Sequence, residues 1–455
     1  TFAQLYDEAG TPFLQARLPA IHSQELISVL EKFAAQPKRL GDLKGEYYSL
    51  EMWHETNAQN DGTIERATQF PASPDQWVLS GPHFFVGNPF NKTPRKECIA
   101  NSHYDVIDLT DLPADYLPRT NYVPACSAEE YRQRTPTVPW IEEGESSAKR
   151  VTEYYRHTNR EMVGSSSERT LISHIMTKGV ASINTCLSTA FKNTQDLLDY
   201  HSFCLSIPVD YRVKSTGMGH ANTSLINQLP TIGYGQERYR TPLHARALGL
   251  NCMSGTYGDL WHEGFRDEFN LDSWTSNSKN LDSAYFSKLV RNWQSSCALR
   301  TDFERRQALL EIDVLVAMAI GLTLDELLTI YRVQFPVMRQ YERETHYDAN
   351  GRIIFTPSKG LVGVGLARKV AKQDPVHTLI WPDGREEHKP LGWEDAIELP
   401  DGSQIVRKVL DDTRPGGVQE KTITYVAPWY RPSREEDYRV AWAVFAARFG
   451  GGGDV

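Results

Sequence analysis

The sequence predicts an α+β fold, and three features carry the prediction. Residues 281–342 repeat apolar side chains at the three-and-four spacing of a helix face. After residue 351 the pattern changes to short β-type runs divided by Pro-Asp-Gly turns. Ahead of both lies a long stretch in which brief helices and strands alternate with proline- and glycine-rich loops. The expected organisation is a helical connector over 1–45, a loop-rich mixed region over 46–270, a helical segment over 271–345 and a β-rich part over 346–455.

From the N-terminal side, Leu26, Val29, Leu30 and Phe33 mark one face of a helix over His22 to Ala35. Ser23 is placed to cap it and Pro37 to end it. The next segment, Gly41 to Phe70, is mixed, and Asp61-Gly62 is a turn. Trp77 to Leu79 reads as a strand entering the turn Ser80-Gly81-Pro82. Prolines and acids over 110–145 predict irregular surface structure, followed by a short helix over Val151 to Met162 and a loop at Gly164 to Ser167. Arg169 to Leu187 has β-type content, Thr194 to Leu205 reads as a helix, and Gly217 to Gly235 as loops.

The helical segment opens with Phe286, Leu289, Val290 and Trp293 on one face. A longer helix is expected over Phe303 to Ile320. Thr323-Leu324-Asp325-Glu326 is a capping box, in which hydroxyl and carboxylate each satisfy an orphan backbone N–H, and it opens a third helix to Val333. Pro336 then restarts or kinks the chain. Arg352 to Thr356, Gln404 to Leu410 and Thr422 to Val426 are the expected strands, Asp437 to Phe449 is the last helix, and glycines follow.

Composition bounds the function classes. The 455 residues are 40% hydrophobic and 24% charged, which excludes a disordered or collagen-like chain. The net charge of −9 argues against a uniformly basic nucleic-acid module. Six widely spaced cysteines contain no C-x-x-C pair, so a zinc ribbon is not expected and reduced thiols are. The most apolar run, Val314 to Leu322, falls short of the roughly 20 residues that cross a bilayer. No secretory leader is visible at Thr1, whose abrupt start reads as the edge of a larger protein.

Most catalytic patterns fail. Gly360, Gly363 and Gly365 lack the lysine of a phosphate-binding loop. Trp53-His54-Glu55 and Trp261-His262-Glu263 lack the second histidine of a metalloprotease. Pro382, Asp383, Glu387 and Lys389 match a nuclease by letter, but lie too close together to occupy neighbouring strands in the required way. No G-x-S-x-G elbow is present. Gly87-Asn88-Pro89-Phe90 is one proline short of the loop with which amino-methyltransferases hold a flipped base, and no catalytic role is assigned to Asn88.

Basic residues are unevenly spread. Lys92, Arg95 and Lys96 form one cluster. Over 201–250, five basic residues face two acids, and Arg238, Arg240 and Arg246 are the second cluster. Arginine and lysine hold phosphates, and arginine, asparagine and glutamine in loops read base edges. These six residues are the candidate DNA contacts. Arg160 counts only among further, scattered basic residues.

Several long stretches resemble the C-terminal, target-recognition region of large bacterial adenine-specific DNA methyltransferases, of the type II-G-like restriction–modification and DISARM phage-defence kinds. They are Met52 to Ile64, Ser80 to Phe90, Arg169 to Ile172 with Gly179 to Ala181, Ala247 to Cys252, Tyr331 to Met338 and Tyr347 to Arg352. The resemblance implies recognition of double-stranded DNA in the bacterial cytoplasm, at the nucleoid. It also implies that S-adenosylmethionine and the catalytic loop belong to an upstream domain, and that other defence proteins are partners. The contrasting expectation is a non-enzymatic scaffold that docks partners through its helical segment.

Overall fold

The computed structural model describes residues 25–100, 102–164, 166–371 and 375–450 and shows a mixed α+β fold. Ser23, the residues before Glu25 and the glycines after Gly450 lie outside the described residues.

The longest helix, Asp302–Ala319, organises the main core. It starts at a capping box, with the Thr301 hydroxyl accepting from the Glu304 N–H and the Glu304 carboxylate accepting from Thr301. It packs against the helices Ile207–Lys214, Arg240–Asn251 and Arg434–Phe449, and one apolar cluster runs from Leu26 to Phe445. The anticipated boundaries at 270 and 345 therefore fall inside a shared core. The helix is buried on nearly every side, and its carboxylates are anchors within that core. Asp313 accepts from the Ile207 N–H at 2.8 Å, the Tyr438 hydroxyl at 2.7 Å and Arg434 at 3.0 Å.

The capping box at Thr323 is present as read and opens the helix Leu324–Thr329, after which one wider turn over Ile330–Gln334 precedes Pro336–Glu342. Upstream, 281–300 holds only short single-turn helices at Phe286–Lys288 and Ser295–Cys297, so the first of the three expected helices is replaced by irregular chain.

Four antiparallel strands form the sheet beneath the first half, in the order Tyr47–Leu50, Cys186–Phe191, Arg156–Arg160, Ser173–Met176. The expected helix over Val151 to Met162 is instead a single turn at Val151–Glu153 followed by a central strand of this sheet. That strand, Arg-His-Thr-Asn-Arg, is polar yet its first four residues are buried, so it lacks the alternation by which strands are recognised. A second four-stranded antiparallel sheet, ordered Glu386–Pro390, Val376–Ile380, Gln404–Asp411, Gln419–Val426, makes up the β-rich C-terminal part. Arg119 with Asp412, and Lys421 with Asp108, latch this sheet to the segment 105–120, and Arg352 binds the same Asp108 from the turn before Ile353–Phe355.

Packing is close at Gly249, where a Cβ would overlap the Tyr285 hydroxyl and press on Leu299. Gly249→Ala is expected to cost about 1–3 kcal/mol by overpacking. Urea unfolding checks this, and the double variant Gly249→Ala/Tyr285→Phe should lose less than the sum of the single changes. Strict additivity would refute the clash.

Candidate nucleic-acid interface

The first basic cluster lies on a short hairpin. Lys92–Pro94 pairs antiparallel with Tyr104–Val106, and Arg119 braces it by donating its backbone N–H to the Thr93 hydroxyl. Arg95 and Lys96 are exposed; Arg95 is held by Asp105 at 2.9 Å. Lys92 is half-buried and makes no ion pair within 4 Å among the described residues. Burial, and after it the neighbouring Arg160, lower its pKa.

Beside this hairpin opens a cleft of about 430 Å³. Its walls come from separate parts of the chain: Glu55 and Arg66, the turn at Ser80, Tyr104, Asn121 with Tyr122, and Arg160. The turn is fixed by His83, whose Nε2 reaches the Arg119 carbonyl at 2.9 Å while Nδ1 meets the Ser80 N–H and hydroxyl. Nδ1 also faces the Ser80 carbonyl at 3.1 Å, but the Arg119 carbonyl is the one partner of Nε2, so in the neutral ring Nε2 carries the proton and Nδ1 accepts from the Ser80 N–H. Burial pushes the His83 pKa down to about 4, which keeps the ring neutral. Asn121 donates to the Tyr104 hydroxyl at 2.7 Å and accepts from Thr68 at 2.9 Å. Burial raises the Tyr104 phenol to about 12. Glu55, the one carboxylate lining the cleft, accepts from the Tyr122 hydroxyl.

Arg160 reaches the cleft from the end of its strand. Its Nη2 donates to the Phe84 carbonyl at 2.6 Å, its Nε is buried without a partner among the described residues, and burial lowers its pKa to about 10. Ile99 and Met162, 84% and 69% exposed, stand at the rim as apolar side chains in water. The sequence singles out neither Arg160 nor the cleft, because the lining residues are spread over 130 positions and no local pattern joins them.

The second cluster does not form a basic surface. Arg238 is exposed and lies over the Tyr239 ring, but Arg240 forms a two-pronged pair with Asp199, which also holds His244. Arg246 is fully buried between Glu311 and Asp272, both at 2.6 Å. The expectation that Arg246 contacts DNA is corrected: its guanidinium is consumed by two internal carboxylates. None of 238, 240 and 246 lines the cleft.

Other cavities carry a different electrostatic character. One of about 320 Å³, under the C-terminal sheet, is lined by five cationic and five carboxylate side chains, with Asn88 at its edge. One of about 580 Å³ has four carboxylates against two arginines. The Asn88 loop itself is not arranged to hold a flipped base. Asn88 Oδ1 accepts from the Phe90 N–H, and Phe90 is buried against Trp77, Tyr116 and Tyr257. The ring that would have to stack on a base is committed to the core.

Glu387 and Lys389 of the nuclease-like letters pair with each other at 2.7 Å, and Asp383 accepts from the Arg385 N–H in the turn. All six cysteines are unpaired thiols. Among the described residues no group of three or more His, Cys, Asp or Glu side chains is placed to hold a metal ion, and no helix is long and apolar enough to cross a membrane. A doubly wound cofactor domain requires a parallel sheet. Here the one parallel strand pair among the described residues, Val78–Leu79 with Ala181–Ser182, is two residues long. No family model matches the chain, and no curated protein matches it.

Proposed function

We propose that this chain is the DNA-recognition region of an adenine-N6 DNA methyltransferase in a restriction–modification or phage-defence system, with S-adenosylmethionine and the transfer chemistry belonging to an upstream domain. One observation carries the reading. Two of the stretches that resemble such proteins, Met52 to Ile64 and Ser80 to Phe90, meet at one cleft through Glu55 and Ser80, and the hairpin that carries Lys92 borders the same cleft through Tyr104. Arg66 and Arg160 add positive charge there. The net charge of −9 does not oppose this, because screening at physiological salt confines each charge to about 8 Å.

The scaffold reading gains no such support. Within the stretch 281–342 that would carry its docking face, the longest helix, Asp302–Ala319, is taken up by the main core.

The test is a titration with duplex DNA at two salt concentrations. Lys92→Ala/Lys96→Ala is expected to weaken binding across sequences and to reduce the salt slope by about two units, one for each phosphate that is no longer neutralised. Arg238→Ala, on the other cluster, should leave the slope within about half a unit of the parent value. Equal slopes in the parent and the double variant would sink the assignment of this surface.

A further inference from the structure

We propose that the cavity beneath the C-terminal sheet binds a free nucleoside monophosphate, with the phosphate on Arg407 and the base against Asp302 and Asn91. The site shares no lining residue with the cleft beside the basic hairpin, so it stands apart from the DNA reading.

The strands place its cationic end. Arg407 and Val409 lie two apart on one strand, and Ile423 and Lys421 stand directly opposite them on the next, so all four side chains share the face that closes the cavity. Five cations and five carboxylates line the void, but they do not cancel inside it. Arginines from outside the lining take three of the acids: Arg95 holds Asp105 at 2.9 Å, Arg119 holds Asp412 at 2.8 Å, and Arg414 approaches Asp411 at 3.9 Å. Asp108 and Asp302 are left to face Arg300, Arg305, Arg352, Arg407 and Lys421, and Asp108 is bound by Arg352 and Lys421. Arg300, Arg305 and Arg407 have no carboxylate within ion-pairing distance among the described residues, and burial lowers the pKa of the first two. A part-buried excess of positive charge is costly until an anion compensates it. Arg300 and Arg305 turn their nitrogens chiefly to backbone carbonyls. Arg407 gives Nη1 to the carbonyls of Gly363 and Gly365 and lies beside the Tyr425 hydroxyl. Its remaining donors suit a phosphate, whose oxygens accept from adjacent guanidinium nitrogens.

The end away from the sheet carries hydrogen-bonding groups without partners. Asp302 Oδ2 accepts from the Ile353 N–H at 2.9 Å, while Oδ1 makes no hydrogen bond among the described residues. The Asn91 backbone is tied at both groups, its N–H to the His83 carbonyl and its carbonyl to the Ile107 N–H, yet its side-chain amide has no partner among the described residues. Asp302 and Asn91 also border the adjoining cavity of about 200 Å³, which no residue of the sheet lines. An acceptor oxygen and an amide that both donates and accepts match the amino and ring groups of a base edge. Between the two ends, Ile107, Ile353, Val409, Ile423 and the Tyr425 ring supply an apolar wall. The volume of about 320 Å³ falls in the range of small-ligand pockets. Val362 and Leu410, 78% and 77% exposed, belong to the lining, so the cavity opens to solvent between the glycine loop and the sheet.

Calorimetric titration of the full chain with the adenosine, guanosine, cytidine and uridine monophosphates tests the site, with their nucleosides and inorganic phosphate as controls. A monophosphate should bind about tenfold more tightly than its nucleoside and than phosphate, because it alone reaches both ends. Arg407→Gln should weaken it about tenfold, the loss of a charge-assisted bond. Asp302→Asn keeps an oxygen for the Ile353 N–H and turns the other acceptor into a donor, so it should change which base is preferred. Ile423→Trp fills the void and should abolish binding. Far-ultraviolet dichroism reports whether each variant folds, and the Arg407 and Asp302 variants carry the test if the tryptophan does not fit.

Binding of no monophosphate overturns the proposal, as does binding that Arg407→Gln leaves at parent strength. Phosphate or a nucleoside binding as tightly as the monophosphate overturns the two-ended pose. A base ranking unchanged in Asp302→Asn overturns the placement of the base. None of these outcomes bears on duplex binding, which the salt titration measures separately.

Discussion

Arg246→Ala is expected to lower stability by about 3–5 kcal/mol, enough to leave much of the chain unfolded. The guanidinium sits on the helix Arg240–Asn251 and donates to Glu311 on the core helix and to Asp272 in the loop before the irregular segment. Its other donors meet the carbonyls of Pro242 and Ser273, and the rings of Trp274, Phe286 and Phe445 surround it. Burial works against the charge, but Asp272 and Glu311 outweigh it and raise the Arg246 pKa. Truncation strands two buried carboxylates, of which Glu311 keeps Thr275 and Gln307 as partners and Asp272 keeps Arg448. Removing one member of a buried ion network costs more than the network contributes, because the remaining charges stay desolvated. Arg246→Lys should lose an intermediate amount, since one ammonium cannot serve both carboxylates in the fork geometry. Urea unfolding followed by dichroism measures each. An Arg246→Ala chain with the parent midpoint and reduced DNA affinity would return this residue to the surface.

That correction shows where sequence reasoning runs out. Proximity along the chain groups Arg246 with Arg238 and Arg240, yet its partners lie 26 and 65 residues away, and no local pattern announces them. The capping box at Thr323 and the strands after residue 351 are legible because their determinants are local. The box at Thr301, four letters of the same kind, is equally local, and the expected helix start at Phe303 missed it. The strand Arg156–Arg160 is not legible, because burial of a polar strand is decided by what packs on it. The same holds for the cleft: its lining runs from Glu55 to Thr185, and these residues come together only in the fold. The candidate site is thus half visible in the sequence, as a charge cluster without its pocket.

The largest expected effect of solution conditions comes from histidines beneath and above the first sheet. His83, His157, His174 and His201 are fully buried. Asn251 fixes the protons of one pair. Its Oδ1 accepts from the Ile175 N–H, so its amide nitrogen faces His201 Nε2 at 3.1 Å as the donor. His201 then carries its proton on Nδ1 and gives it to His157 Nδ1 at 3.0 Å. Both rings are neutral, and a further proton on either shared nitrogen would face another donor. His174 has no partner on either nitrogen among the described residues and lies 4.2 Å from the Phe84 ring. Burial pushes His157 and His174 down to about 3 and His83 to about 4, and holds His201 well below its ordinary value. The unfolded chain binds these protons near pH 6.5 and the folded chain does not, so stability falls as pH drops below that point. Two carboxyls oppose the trend: burial raises Glu168 to about 7 and Asp302 to about 6, so they take up protons in the folded state first. Burial also lowers His244 and raises Asp313 and Asp348; the histidines still outweigh the carboxyls and leave a net loss on the order of 3 kcal/mol per pH unit between about pH 6 and 5. Denaturant titrations at about pH 7.5, 6.5 and 5.5 measure the slope. His174→Leu, which removes two unsatisfied nitrogens, should hold stability at about pH 7.5 and flatten the slope by about 1.4 kcal/mol per unit. A parent chain equally stable at both ends of that range would mean that these rings reach water.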